Sequence, residues 1–280
     1  MKAAINKIIP FSSVDGPGNR TAVFLQGCNL DCKYCHNPET RKLCRNCGLC
    51  VKECKAGALS IEKEGHVLYD EAKCVRCDTC IHLCPFDSSP RILWLEPKET
   101  YERIKKQIPY IRGITVSGGE CMLWPEFICE LFRLAKEDGL STMLDSNGMI
   151  PYKQFPDLLE VTDGVMLDIK AFDSKEHIKI TGSPNQTVLE NAAFLAQNSK
   201  LYEVRTVIVP DLYDTEESIR QMGEFLAPFL NIQEFRIKII AYRPMGVRKE
   251  YSHYKVPDQQ YLEYLAAILE IQGFQDVIII

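Results

Sequence analysis

No stretch of the 280-residue chain approaches the ~20 consecutive apolar residues that a membrane-spanning helix needs. The opening Met1 to Pro10 holds two lysines and no apolar core of signal-peptide length, so a cytoplasmic protein is expected. A basic excess is also missing. Lys and Arg total 33 against 38 Asp and Glu, a formal net charge of -5, which argues against a nucleic-acid binder. No long block of like charge appears either. Membranes and nucleic acids are therefore not expected partners. Apolar residues are plentiful at 46%, enough for one large domain, or one domain plus a small insert, around a buried core.

Cysteine is abundant. Thirteen in a chain expected to meet a reducing compartment point to metal binding rather than disulfides. The densest group lies in Gly27 to His36, with Cys28, Cys32 and Cys35 spaced by three and then two residues. Three such thiolates can ligate three irons of a [4Fe-4S] cluster, which normally uses four, and leave the fourth iron open. A zinc site or a trio of buried thiols fits less well, because three cysteines fall within eight residues directly after the apolar run Thr21 to Leu25.

Residues 36 to 90 form a different unit. Cys44-x2-Cys47-x2-Cys50-x3-Cys54 is repeated as Cys74-x2-Cys77-x2-Cys80-x3-Cys84-Pro85. This is the spacing of a bacterial two-cluster ferredoxin, in which the fourth cysteine of each run ligates the other cluster. One cluster is then expected on Cys44, Cys47, Cys50 and Cys84, the other on Cys74, Cys77, Cys80 and Cys54. Lys55 stands where proline usually follows the fourth cysteine, and a small local backbone change is expected there. Zinc hooks would leave the third and fourth cysteines of each run without a role. Solvent-accessible clusters of this kind suit an anaerobic setting.

The remainder alternates strands and helices. Strands are expected at Thr21 to Leu25, Ile114 to Glu120, Thr142 to Asp145, Gly164 to Asp168, Leu201 to Val209 and Phe235 to Ala241. Helices are expected at Thr100 to Ile108, around Trp124 to Ala135, and at Thr187 to Asn198, Thr215 to Leu226 and Asp258 to Ile271. This order implies an α/β fold with a parallel sheet, a partial (β/α)6 barrel of residues 1–35 and 91–280, into which the ferredoxin-like unit 36–90 is inserted. Residues that carry chemistry sit at strand ends, the rim where parallel barrels place their sites. They are the cysteines after the first strand, Gly118-Gly119-Glu120 after the second, Asp145 after the third, and Asp168 with Lys170 after the fourth.

Taken alone, several of these segments read as ordinary structure. Gly-Gly-Glu can be a turn, and Asp145 and Asp168 can be helix caps or solvated acids. Arg205, inside the fifth strand, suits either a barrel salt bridge or a cofactor carboxylate. Cys121 and Cys129 read as packing residues, with Cys129 off the apolar stripe of its helix. His66, His82, His177 and His253 show no ligand spacing.

Taken together, Asp15-Gly16-Pro17-Gly18-x-Arg20, Cys28-x3-Cys32-x2-Cys35, the doubled ferredoxin run and Ser117-Gly-Gly-Glu120 resemble the glycyl radical enzyme activating enzymes of the radical S-adenosylmethionine superfamily. Ile8-Ile-Pro-Phe-Ser, Asp145-Ser-Asn-Gly-Met and Leu167-Asp-Ile-Lys are similar to the YjjW-type branch. The resemblance implies that S-adenosylmethionine chelates the open iron and that the partner is a glycyl radical enzyme. Electrons would come from a flavodoxin or ferredoxin-type donor. It further implies that Tyr34, Cys35, His36, Gly118, Gly119, Glu120, Asp145, Ser146, Asp168, Ile169, Lys170, Arg205 and Arg243 lie against the cofactor. Asp145, Ser146, the Met166 carbonyl and Asp168 are implied to hold a monovalent cation. Asp15, Gly16 and Arg20 are implied to meet the partner. At Arg243 the pattern more often has histidine, and arginine cannot switch its charge near neutral pH. Two other readings are a radical enzyme acting on a small molecule or ribosomal peptide, and a multi-cluster electron carrier that makes no radical.

Overall fold

The computed structural model describes residues 1–280. Eleven strands are formed: β1 (Ala3–Ser12), β2 (Arg20–Leu25), β3 (Leu59–Ile61), β4 (Val67–Tyr69), β5 (Leu93–Leu95), β6 (Gly113–Gly118), β7 (Ser141–Ser146), β8 (Gly164–Asp168), β9 (Leu201–Ile208), β10 (Arg236–Ala241) and β11 (Val277–Ile279). Nine of them build one sheet in the order β11-β10-β9-β8-β7-β6-β2-β1-β5. From β2 to β11 all neighbours are parallel, and β1 is antiparallel to both β2 and β5. The six expected strands are therefore present, and the apolar tail adds a seventh parallel one at the edge. β1 was not among the expected strands, because Pro10 and its interleaved polar residues hide a strand that lies at the antiparallel side.

Alternation along the strands decides what faces the lumen. Successive residues point to opposite faces. Val23, Leu25, Ile114, Val116, Leu144, Val165, Leu167, Val204 and Ile237 enter one buried core with the helices Pro125–Glu137, Gln186–Gln197, Thr215–Leu226 and Gln259–Ile271. Each large apolar side chain in that layer contributes ~1.5–3 kcal/mol through burial. The register places Asp145 beside Met166, Met166 beside Glu203, and Asp168, Arg205 and Lys238 side by side on the opposite face. The lumen is therefore polar.

Local signals set the helix starts. Asp173, Asp214 and Asp258 accept hydrogen bonds from backbone amides two or three residues ahead, satisfying donors that have no partner within the helix. The first of these opens Ser174–Thr181, a helix not expected from periodicity. Asp173 at its start and left-handed Gly182 at its end were its visible markers. Cys129 is a packing residue as expected, but it does not lie off the buried face. It is buried in the main core, since Pro125–Glu137 packs against Pro97–Lys105 and Pro156–Glu160 as well as the sheet.

The 36–90 segment contains only the β3–β4 hairpin, the four-residue helix Thr79–His82 and a short 3-10 turn. Its two cysteine runs share a backbone twist. Asn46 and Gly48 have φ of 57° and 73°, and the matching Arg76 and Asp78 have 55° and 60°. A non-glycine residue in this region costs of order 1–3 kcal/mol. The repetition of that strain at equivalent positions indicates a shape imposed by what the loops surround.

Candidate functional site

β2 ends in a loop fixed from several sides. Gln26 is fully buried, and its amide nitrogen donates to Glu39 O and Lys42 O, both at 2.7 Å. The amides of Gly27 and Cys28 donate to Thr40 O and Arg41 O at 2.8 Å, while those of Asp31 and Lys33 donate to Thr181 O and Ile180 O. Cys28, Cys32 and Cys35 are held there, Cys32 buried and the others half-buried. Burial pushes the Cys28 thiol up to about 11 and Cys32 to about 12, and raises Cys35. Desolvated thiols of this kind need a strong counter-charge to ionise, which a cluster's irons provide.

Gly118 and Gly119 act by close approach. Gly118 has φ of 138°, and a Cβ there would lie 2.1 Å from Leu25 O; one on Gly119 would lie 2.3 Å from Gly27 O. The amides of Gly119 and Glu120 donate to Leu25 O and Gly27 O. The glycine turn therefore seats the cysteine loop against β6. The Glu120 carboxylate is 1% exposed and points away from open space, accepting from Met122 N (2.8 Å), Ser146 Oγ (2.8 Å) and Asn147 N (2.7 Å). Burial raises it to about 7 against the opposing pull of those donors. It ties the ends of β6 and β7 together.

The lumen below the loop carries a row of charges. Asp145 accepts from Ser117 Oγ and pairs with Arg205 Nη1, each at 3.0 Å. Arg205 also bonds Glu203 and reaches Met166 Sδ at 2.8 Å, and Lys238 Nζ lies 2.9 Å from Glu203. Lys170 Nζ sits 2.7 Å from Asp168 and 6.0 Å from the Tyr34 ring centroid. Burial disfavours the Lys170 ammonium, but the Asp168 carboxylate outweighs it and holds it charged. Burial raises the Asp145 carboxyl, and Arg205 opposes that rise. Arg205 is thus a barrel salt-bridge residue whose guanidinium also faces the lumen. Tyr34 is buried among Ala171, Ile180, Val209, Leu212, Tyr213 and Tyr242, and its hydroxyl has no protein partner.

Five residues are placed differently from expectation, the first being Glu120, whose carboxylate is buried against Met122, Ser146 and Asn147 rather than beside a ligand. The Ser146 side chain faces the helix side, since it follows lumen-facing Asp145 in the strand, and its hydroxyl is spent on Glu120. Only its backbone is free to join Asp145 and Asp168. Ile169 is 1% exposed and packs in the core, its amide donating to Arg205 O. The Arg243 side chain is exposed, and its carbonyl takes His36 Nε2 at 2.9 Å. Arg20 is fully buried and cannot meet a partner. Its guanidinium donates to Thr115 Oγ1, Ser141 Oγ, Ile114 O, Ser141 O and Pro17 O, because a charge placed inside the sheet needs every donor satisfied. Asp15 and Gly16 are half-exposed, at the end of β2 opposite the cysteines, with Asp15 O accepting from Thr115 Oγ1 at 2.5 Å.

In the insert, Cys44, Cys47, Cys50 and Cys84 line one cavity, and Cys54, Cys74, Cys77 and Cys80 line another. Each void takes its fourth cysteine from the other run. Lys42 N donates to Asp87 O at 3.1 Å, which carries the Cys84 end back beside Cys44. The Lys55 amide donates to Glu53 O at 3.0 Å, a bond proline would forbid, and Cys54 keeps its place. No three acidic, histidine or cysteine side chains converge as on a single metal ion. The sulfurs surround a space instead, which suits a cluster.

Sequence reasoning missed the residues that join these regions. Arg41 and Arg248 both pair with Asp31 and Asp87, at 2.5 to 3.5 Å, and Arg248 donates to Cys32 O at 3.0 Å. Arg248 is 216 residues from Cys32 in the chain, so no local pattern announces it. Asn147 was read only as part of a phrase, yet its side chain reaches Cys28 Sγ.

The Radical SAM superfamily profile matches residues 22–226. The chain is 30% identical to the indoleacetate decarboxylase activating enzyme of Tractidigestivibacter scatoligenes, across 99% of this chain and 98% of that protein. It is 34% identical to the pyruvate formate-lyase-activating enzyme of Streptococcus mutans, across 86% and 78%. Among solved structures, a domain of a pyruvate-formate lyase-activating enzyme from Bacteroides vulgatus superposes with a TM-score of 0.52 at 21% identity, covering 60% of this chain and 98% of that one, and shares the fold.

Proposed function

Because the chain belongs to the radical S-adenosylmethionine superfamily and, within it, to the activating enzymes, we propose that it activates a glycyl radical enzyme by removing one hydrogen from a glycine Cα of that partner. The observation that carries this reading is the meeting of Cys28, Cys32 and Cys35 with the lumen row Asp145, Asp168, Lys170 and Arg205 at one rim. A [4Fe-4S] cluster and S-adenosylmethionine held here would supply one-electron reductive cleavage of the sulfonium and a 5′-deoxyadenosyl radical to take the hydrogen, with 5′-deoxyadenosine, methionine and a glycyl radical as products.

The chain's own part is binding and shielding. Cys28, Cys32 and Cys35 hold the cluster. Tyr34, with Tyr213 and Tyr242 around it, gives an apolar wall from which water is excluded. Lys170 and Arg205 are cations that balance a carboxylate ligand in the lumen, while Asp145 and Asp168 are acceptors for its amino group or for a monovalent cation beside it. Asp15, half-exposed at the far end of the lumen, is available to an incoming loop of the partner.

Two ferredoxin-type [4Fe-4S] clusters belong to this reading, one on Cys44, Cys47, Cys50 and Cys84 and the other on Cys54, Cys74, Cys77 and Cys80. The two sulfur-lined cavities support it. A flavodoxin or ferredoxin-type protein is the electron donor, and the cytoplasm the compartment. No helix is long and apolar enough to cross a membrane.

The test is anaerobic incubation of the reduced protein with S-adenosylmethionine and a candidate glycyl radical enzyme. A glycyl doublet in the electron paramagnetic resonance (EPR) spectrum of the partner is expected. 5′-Deoxyadenosine formed only with a metabolite or ribosomal peptide, and no doublet with any such partner, would favour a different substrate.

A further inference from the structure

The amide of Asn147 has one orientation. Its Oδ1 accepts from Met149 N at 3.0 Å, so that corner must be oxygen and the other must be the NH2 group. The two N–H bonds are then both spent in one direction: one reaches Asn29 Oδ1 at 2.8 Å and the other Cys28 Sγ at 3.7 Å. The residue is 5% exposed and cannot swing away. Its backbone is locked as well, since Asn147 N donates to Glu120 Oε2, whose partner oxygen holds Ser146 and Met122. Among the three sulfurs, Cys28 alone receives a side-chain donor, in addition to the Leu30 amide at 3.5 Å.

We propose that Asn147 is a positioning residue for the radical chemistry: its fixed N–H bond to Cys28 Sγ raises the reduction potential of the cluster held by Cys28, Cys32 and Cys35, and Glu120 is the clamp that aims it. The physical reason is charge. A reduced cluster bears one more negative charge than the oxidised one, spread partly onto its cysteine sulfurs, so an N–H donor to sulfur stabilises the reduced state more. Hydrogen bonds to sulfur are one of the levers that set such potentials. The inference rests on the triad holding a cluster, and it concerns only this chain's residues around one sulfur.

The test is a redox titration of the reconstituted holoenzyme, following the EPR signal that changes when S-adenosylmethionine is added. N147A removes the donor; N147D keeps the acceptor for Met149 N but replaces the donor with a carboxylate. Both midpoints are expected to fall, N147D furthest. Its reduced-to-oxidised ratio at the wild-type midpoint should drop about tenfold, equivalent to about 59 mV for one electron. N29A breaks the neighbouring bond on the exposed side and leaves the N–H to sulfur intact, so its midpoint should stay at the wild-type value. Unchanged midpoints in both Asn147 variants, or an N29A shift as large as theirs, would overturn the proposal. If the Asn147 variants lose the cluster, wild-type protein labelled with 15N in asparagine side chains decides the matter. A 15N coupling on that signal supports the bond and its absence refutes it. A wild-type protein with no responsive signal would instead overturn the reading of the triad itself.

Discussion

The two cysteine regions solve the same problem by opposite means. The triad loop at the end of β2 is gripped by the rest of the barrel: by Gln26, by the Gly118–Gly119 seat, by Thr181 and Ile180, and by Arg248. Its thiols are raised by desolvation. The insert is tied to the barrel at its ends, through Glu39 to Lys42 and through Asp87, and at Glu71 by Arg103, while around its cysteines it places left-handed residues at matching points of each run. Its thiols divide: burial raises Cys44, Cys50 and Cys80, whereas exposed Cys77 is lowered by its hydrogen bonds with Thr79. Cys74 is lowered because bonds from the Arg76 amide, Tyr69 and Arg91 overcome its burial. On the proposed reading, a preformed cradle belongs where a ligand must be oriented, and a metal-ordered wrap would suffice where a cluster had only to be enclosed.

The largest effect that would break this contrast is loss of chemistry without loss of the insert. C28A should abolish 5′-deoxyadenosine formation while removing only roughly a third of the iron, since each cube needs its own ligands. Iron analysis beside product detection checks both. Pairs of substitutions sharpen the insert's crossed arrangement. C44S/C84S should remove roughly four irons and C44S/C54S roughly eight, if each cube takes its fourth ligand from the other run. The reverse, roughly eight irons for C44S/C84S and roughly four for C44S/C54S, would mean that the runs do not cross. Chelating all iron should unfold 36–90, seen as new protease cleavage there, and leave the barrel's thermal transition in place.

A smaller effect separates two parts of the Asp15 loop. R20A leaves Ile114 O, Ser141 O and Thr115 Oγ1 without their buried donor and should cost about 3 kcal/mol of stability by denaturant titration. D15N should leave stability within about 0.5 kcal/mol, as expected of surface sites, and weaken only the response to the partner. An effect as large as that of R20A is expected in pH. Glu120 is raised to about 7 from an ordinary value near 4.5, so the folded state holds a proton that the unfolded state has released between those values. Stability is full below about 4.5, falls by about 3 kcal/mol as pH rises to about 7, and is flat above. E120Q should flatten that slope in melting curves.

Much of the fold was legible because parallel strands buried on the helix side leave apolar runs. β6 to β10 lie within one or two residues of their expected bounds, and β8 matches at both ends. The cysteine spacing grouped the same residues that line each of the insert's two cavities. β1 was not, as an antiparallel strand with Pro10 in it lacks that signal, and three-residue β5 is too short to have a period. At the site, the residues that carry charge were found, but not all of their directions. Strand alternation already implies that Ser146 cannot share a face with Asp145. What stayed hidden is what chain distance hides: Arg248 on Cys32 O, Arg41 on Asp87, and Asn147 on Cys28 across 119 positions.

The central claim is that three cysteines leave one iron open for S-adenosylmethionine. Its most direct test is the EPR spectrum of anaerobically reconstituted, reduced protein before and after that nucleoside is added. One signal, absent from C28A, should change its g values while the insert signals stay fixed. Spectra that are identical with and without the nucleoside would contradict the account.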